Sequence, residues 1–202
     1  MLIEEITVMK NGKVKIRLED HIEFLLYKSE AGKFQLKAGD ELKEEQWLYI
    51  KTEILQKRAK KRAMHLLEKM DRSEKQLRDK LKEGMYPADV MDAAIDYVKS
   101  YHYIDDERYA RNLIRYQQEK KSRLQMKMDL LKRGISSEII DNAMEEECQV
   151  SSEDLILKLL EKKGYQRGCT DDSQRRKIYN FLLRKGFRSD EISRCMGLHQ
   201  YD

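Results

Sequence analysis

Lysine or arginine occupies positions 108, 111, 115, 120, 121, 123, 127, 132 and 133, and only Glu119 and Asp129 oppose them up to Arg133. A second run, Lys158–Arg188, sets ten basic residues against three acidic ones. Guanidinium and ammonium groups at this density do the chemistry of binding. They hold phosphate or carboxylate through charge-assisted hydrogen bonds and displace counterions from a polyanion. Arg108, Arg111 and Arg115 stand at i, i+3 and i+7, so they share one face of a helix. Arg123, Lys127 and Lys120 carry the charge into the next helix. The expected role is a working surface for a polyanion or an acidic protein.

Catalytic chemistry has no comparable footing. The chain contains no GxSxG, no glycine-rich phosphate loop, no HExxH and no Cys–His arrangement. Its paired carboxylates occur at helix starts or in acid runs such as Glu145–Glu147. Asp105 is placed to cap a helix that begins near Asp106. Asp106 and Glu107 then complement the positive end of the helix dipole. A metal site would need further converging carboxylates or histidines, and none is evident. Cys148, Cys169 and Cys195 are odd in number and far apart, no CxxC occurs, and of the four histidines only His199, four residues after Cys195, lies near one of them. They read as reduced thiols, with Cys195 in a helical core. We expect no catalytic residues, no metal and no cofactor.

The elements that must position these cations are mostly helical. Of 202 residues, 39% are charged and 40% hydrophobic, with a single Pro, a composition that favours helices. No apolar run approaches the ~20 residues of a membrane span, and MLIEEITVMK lacks a signal-peptide pattern, so a cytoplasmic protein is expected. The net charge of +4 is uneven. Residues 1–56 hold nine basic and eleven acidic residues, so the positive excess lies after them.

The first ~45 residues differ in texture from the rest. Ile6–Met9 and Lys13–Leu18 flank Asn11-Gly12, a hairpin signal. Val14, Ile16 and Leu18 alternate with Lys13, Lys15 and Arg17, which gives one buried and one wet face. Ile22–Tyr27 supplies a third strand, and Phe34–Lys37 reads as a short extended piece. A small antiparallel sheet is expected over this segment, packed against the helical part of the chain.

From Lys43 the apolar period becomes 3.6. Trp47, Ile50, Ile54 and Leu55 fit one face, and Ala59, Ala63, Leu66, Leu67 and Met70 continue the stripe. Ser73 with Gln76 forms a capping box. Leu77 and Leu81 face inward, and Gly84 is expected to supply the left-handed residue that ends the helix. Pro87 suits the first turn of the next helix, which turns Val90, Ala94, Tyr97 and Val98 inward. Tyr109, Leu113 and Tyr116 form a further stripe, with Ala110 and Ile114 beside it.

A longer pattern recurs in LKEGMYPADVMDAAI (81–95), LKRGISSEIIDNAM (131–144) and LRKGFRSDEISRCM (183–196). Each runs from a leucine through two charged residues to Gly, then a capping residue, an acid and a short apolar helix. A further helix lies upstream of each, at Lys57–Met70, Asp106–Gln118 and Glu153–Lys163, with a loop expected at Tyr165–Asp172. We therefore expect a mainly α protein: three tandem three-helix repeats forming an elongated crescent, with a small N-terminal antiparallel β element. The expected bounds are 1–45 for the β element, 46–100, 101–148 and 149–202 for the repeats, with a frayed tail after Gly197.

RSEKQLRDKLKEG (72–84), YIDDERYA (103–110) and LLKRGISSEIIDNA (130–143) together resemble the RecX family of bacterial recombinase regulators. The resemblance runs from about Lys57 to Gly197, where RRKIYNFLLRKGFRSDEI (175–192) agrees with the family's closing repeat. The β-rich preface resembles the longer members from low-GC Gram-positive bacteria. The resemblance implies a non-enzymatic modulator that lies in the groove of the RecA–DNA filament. It implies that the protein modulates RecA, most members suppressing strand exchange and co-protease activity and some acting positively, that it meets single-stranded DNA within the filament and that it needs no cofactor. Arg72 and the Asp105–Asp106 pair fall within its motifs. With local charge added, the expected partner-binding residues are Arg72, Lys75, Arg78, Arg108, Arg111, Arg115, Lys120, Lys121, Arg123 and Lys127. A monomer is expected. The rival reading is a helix-turn-helix DNA-binding protein acting without RecA; a third is a repeat scaffold for an acidic protein.

Overall fold

The computed structural model describes residues 1–10, 12–168 and 170–198. Asn11 of the turn, Cys169, His199 and the rest of the tail from 199 onward lie outside the described residues. The chain divides into two compact units, Met1–Asp105 and Asp106–Asp202.

The first unit opens with an antiparallel sheet, β1 (Ile3–Val8), β2 (Lys13–Leu18) and β3 (Glu23–Tyr27), in the order β1-β2-β3. The alternation in β2 sets the register: Val14 lies between Val8 and Leu26, and Ile16 between Ile6 and Phe24. Val14, Ile16 and Leu18 are buried. The Met9 N–H donates to the Lys13 carbonyl at 2.8 Å, and Gly12 adopts φ 76° in the connection. Phe34–Lys37 is not a strand. A short helix, α1 (Lys28–Lys33), precedes it, started by Glu30, whose carboxylate accepts from Tyr27 N at 2.8 Å. Phe34 caps it, and Gln35 is left-handed at φ 51°. The acceptor that Glu30 offers and its ion pair with Arg58 outweigh the weak helix propensity of Gly32.

α2 (Glu44–Tyr49) runs through a π-helical stretch, Ile50–Gln56, into α3 (Lys57–Lys69). The apolar residues explain the wide turn. Trp47 to Ile50 is an ordinary step, but Ile50 to Leu55 spans five residues. The π turn carries Leu55 back onto the face that Ala59, Ala63 and Leu66 continue, and all six are buried. Met70, expected on that stripe, is 56% exposed because the backbone has already become extended there.

α4 (Glu74–Lys82) starts at the expected capping box: Ser73 Oγ accepts from Gln76 N, and Gln76 Oε1 from Ser73 N, each at 3.2 Å. Gly84 does not supply the left-handed residue; Met85 does, at φ 55°. Glycine at 84 answers a different need, since a Cβ there would lie 2.7 Å from the Tyr86 ring. Pro87 is the N-cap of α5 (Ala88–Ser100) rather than a residue of its first turn. Val90, Ala94, Ile95 and Val98 are buried, and Tyr97 only partly. One apolar cluster runs through the sheet and α2–α5.

The second unit holds two three-helix modules with separate cores. α6 (Asp106–Gln117), α7 (Arg123–Lys132) and α8 (Ser137–Glu147) enclose Ala110, Ile114, Met126, Leu130 and Ile140. α9 (Ser152–Lys162), α10 (Asp172–Arg184) and α11 (Ser189–Met196) enclose Ile156, Leu160, Leu182 and Ile192. Gly134 and Gly186 are left-handed, at φ 85° and 80°. The described residues between α9 and α10 form a loop, as expected. Cys148 and Cys195 are buried thiols, and burial pushes the Cys195 thiol upward. On α6 the buried line is Ala110 and Ile114; Tyr116, expected on the inward stripe, is 71% exposed. The modules meet where the Ser122 hydroxyl donates to the Lys185 carbonyl at 2.5 Å. The Gln118 side chain accepts from Gln149 N at 3.0 Å. No helix among the described residues is long and apolar enough to cross a membrane.

Candidate functional site

Half of the ten candidate cations are bound to the protein's own acids. In the first unit, Arg78 on α4 reaches Asp92 on α5 at 2.5 Å and Glu74 at 3.2 Å, and Lys99 joins Glu74 at 2.5 Å. Burial alone would raise the Glu74 carboxyl, but the hydrogen bonds from Lys99 and Arg78 outweigh it and hold it below the ordinary carboxylate value. Arg72 is half-buried, and its Nε is shielded from solvent with no acceptor among the described residues. Lys75 is exposed on α4, but it interacts within the protein.

In the second unit, α6 and α8 pack side by side and their charges interlock. Arg111 meets Glu146 at 2.8 Å and Glu107 at 3.5 Å. Arg115 grasps both oxygens of Glu147. Lys127 on α7 meets Asp141 on α8 at 2.6 Å, and Lys121 meets Asp129 at 2.5 Å. Arg123 donates to the Cys148 carbonyl at 2.9 Å, at the C-terminal end of α8. Lys120 lies over the Tyr116 ring, 4.0 Å from its centre. Arg108 is exposed and not without partners.

The physical reason is the acidic end of α8. Glu145, Glu146 and Glu147 sit where the helix dipole is already negative, so they favour cations nearby. From Asp106 to Glu147 the chain has nine basic and nine acidic residues. A window stopping at Arg133 counts the cations and misses most of the anions folded against them. The positive excess lies instead in the first and third modules. Residues 57–100 hold twelve basic and eight acidic residues, and residues 151–196 hold eleven and seven.

Two surfaces escaped the charge count. α7 carries apolar residues on more than one side, and Leu124 and Met128 remain exposed. With Leu183 they floor a groove of about 380 Å³ at the junction of α7 and α10, rimmed by Lys121, Lys132 and Arg184. The signal was legible: a helix reading RLQMKMDLLK has more apolar residues than one inward face can use. The second surface lies in the first unit, around Lys61 and Arg62 of α3. Among the described residues, no group of three or more His, Cys, Asp or Glu side chains is placed to hold a metal ion. The arrangement offers guanidinium and ammonium groups that can hold anionic partners.

Comparison with known proteins gives these modules a family. Residues 59–97, 105–144 and 151–196 match, in order, models described as RecX, first, second and third three-helix domain. A regulatory protein RecX of Clostridium tetani is 29% identical over 94% of this chain and 90% of that protein. That of Caldanaerobacter subterraneus is 31% identical, covering 81% of each. A crystal structure of regulatory protein RecX aligns over 98% of this chain and 99% of that one, with 26% identity and a TM-score of 0.63. The structure of RecX from Lactobacillus salivarius shares the fold at a TM-score of 0.57.

Proposed function

The chain belongs to the RecX family of regulatory proteins, and from that premise we propose that it binds the RecA–DNA filament and inhibits recombinase and co-protease activity. The observation that carries this reading is the succession of three RecX domains in one chain, matched along most of its length by relatives named as regulatory proteins. On this reading the protein regulates by occupying a surface. Repeated modules serve that end, because modest contacts from each add through effective concentration.

We assign the grip to the cationic set Arg72, Lys75, Arg78, Arg108, Arg111, Arg115, Lys120, Lys121, Arg123 and Lys127. For Arg78, Arg111, Arg115, Lys121 and Lys127, binding is an exchange in which a partner's anion replaces an acid of the same chain. Such an exchange is nearly balanced at a solvated surface, where each ion pair is weak. It therefore favours a partner of high charge density. The groove at Leu124, Met128 and Leu183 adds an apolar contact for the protein part of the filament. The protein works inside the cell on this reading and needs no cofactor.

Co-sedimentation with preformed RecA–DNA filaments tests the proposal. Retention in the pellet, with RecA's DNA-dependent ATP hydrolysis falling in parallel, is the expected result. Tight, sequence-preferring binding to bare DNA with no retention on filaments would overturn it in favour of a DNA-binding protein acting alone.

A further inference from the structure

The sheet and two helices of the first unit enclose a cleft of about 710 Å³ that the cationic set leaves out. Its walls come from distant parts of the sequence: Lys13 and Tyr27 from the hairpin, Lys61 and Arg62 from α3, and Tyr86 from the turn after α4. Two aromatic rings and several cations thus face one volume. Tyr27 is exposed for almost half its surface, and the Arg58 guanidinium lies 4.7 Å from its ring centre. Glu30 holds Arg58 in place through two contacts of 2.6 Å, so this arginine serves to fix the ring and is not available to a ligand.

Tyr86 is brought to the cleft by the backbone. Glycine at 84 leaves room for its ring, and the left-handed turn at Met85 redirects the chain. Burial pushes the Tyr86 phenol upward, against the pull of the Arg58 and Arg62 cations, so it stays a neutral donor. Lys80 is matched by Glu83 at 2.7 Å. Lys61 and Arg62 are exposed and have no acidic partner among the described residues.

We propose that this cleft is a binding site for single-stranded nucleic acid, with phosphodiesters on Lys61 and Arg62 and a base stacked on Tyr27 or Tyr86. Unpartnered cations beside aromatic faces are what a single strand requires, because every base offers a π face and every linkage a charge. A duplex hides the bases and could use the charges alone. The inference deepens the filament reading by placing the strand on the N-terminal unit, yet it is testable without recombinase.

The test is fluorescence anisotropy of the full chain with a short labelled oligothymidine across a salt series. Lys61→Glu with Arg62→Glu is expected to weaken binding about tenfold or more and to flatten the salt dependence. Tyr27→Leu is expected to weaken it on the order of tenfold with the salt slope unchanged. Lys33→Glu with Lys37→Glu, an equal charge change on the same unit outside the cleft, is expected to stay within about twofold. A photo-crosslinking residue at position 27 should join to the oligonucleotide. Equal losses from the two charge pairs, no loss from either cleft variant, or no crosslink would each overturn the site. So would competition by duplex DNA or thymidine monophosphate as effective as the single strand. Oligonucleotide binding that persists when filaments fail to retain the protein removes only the filament reading; the reverse result removes only this cleft.

Discussion

Arg115 on α6 holds Glu147 on α8 by a two-pronged grip, with the guanidinium Nη2 2.5 Å from one carboxylate oxygen and Nε on the other. The hydrogen bond from Arg115 holds the Glu147 carboxyl below its ordinary 4.5, and Glu147 in turn raises the arginine. A carboxyl whose pKa is depressed on folding contributes stability above its unfolded value and loses it as pH falls through the folded value. Glu147→Gln removes that contribution. Urea denaturation should therefore find the variant less stable than the parent near neutrality. The two curves should converge as pH drops below about 4.5. Arg115 stands in solvent, so the difference is small and shrinks with salt. A pH-independent gap would mean that the glutamate acts through packing.

Ser122 has two tasks, and Ser136 has one. Ser122 is buried; its oxygen accepts from Gln125 N at 3.2 Å to cap α7, and its hydroxyl donates to Lys185 O in the next module. Ser136 is exposed and only caps α8, accepting from Ile139 N at 3.3 Å. Ser136→Ala should cost about 1 kcal/mol. Ser122→Ala should cost about 2–3 kcal/mol, since a carbonyl at the module junction also loses its donor. The comparison by chemical denaturation isolates the junction bond, and equal losses would show that the bond contributes nothing.

Two glycines in equivalent places of the repeat should respond differently to alanine. At Gly186 a Cβ would meet Ser122 Oγ at 3.1 Å and Leu124 at 3.2 Å, and φ is 80°. Alanine there carries a left-handed penalty of about 1–2 kcal/mol in addition to the crowding. At Gly84 the nearest obstacle is the Tyr86 ring, the end of a side chain that can swing aside, with the Leu81 carbonyl oxygen at 3.1 Å beyond it. Gly84→Ala should cost less than about 1 kcal/mol of stability, yet displace Tyr86 from its cleft, which near-ultraviolet circular dichroism or the tyrosine ring resonances would register.

These glycines also show where sequence reading succeeds and where it stops. Gly84, Gly134 and Gly186 mark the repeats correctly, because a helix–glycine–cap pattern is local. That Met85 and not Gly84 takes the left-handed turn depends on Tyr86 folding back, which no local pattern records. The helix stripe at Ala59, Ala63 and Leu66 is legible by period; the π turn between Ile50 and Leu55 is visible only as a five-residue step. Tyr116 lies outside the core because tyrosine suits an apolar interior and a solvated cation equally well, and Lys120 decides it. The charge surface is the least legible part. Pairings such as Arg115 with Glu147 span 32 residues, and a window of sequence cannot see them. For the same reason the cleft around Lys61, built from the hairpin and two helices, has no linear signature.

Those pairings change how the cationic set must be probed. Reversing Arg111 and Arg115 to Glu would set four carboxylates against one another on α6 and α8. A loss of filament inhibition could then reflect unfolding alone. The acids offer the cleaner experiment. Glu146→Gln with Glu147→Gln keeps shape and hydrogen-bonding capacity but removes the charged partner of Arg115 and leaves Arg111 with Glu107, at 3.5 Å. If Arg111 and Arg115 grip the filament, only the longer Arg111–Glu107 contact then has to be given up. The double variant should bind filaments more tightly, by about threefold to tenfold, and with a steeper salt dependence. If their function is to hold α6 against α8, the variant should be less stable and bind no better. Co-sedimentation alongside thermal unfolding separates the two outcomes, and unchanged affinity in a fully folded variant would strike both arginines from the binding surface.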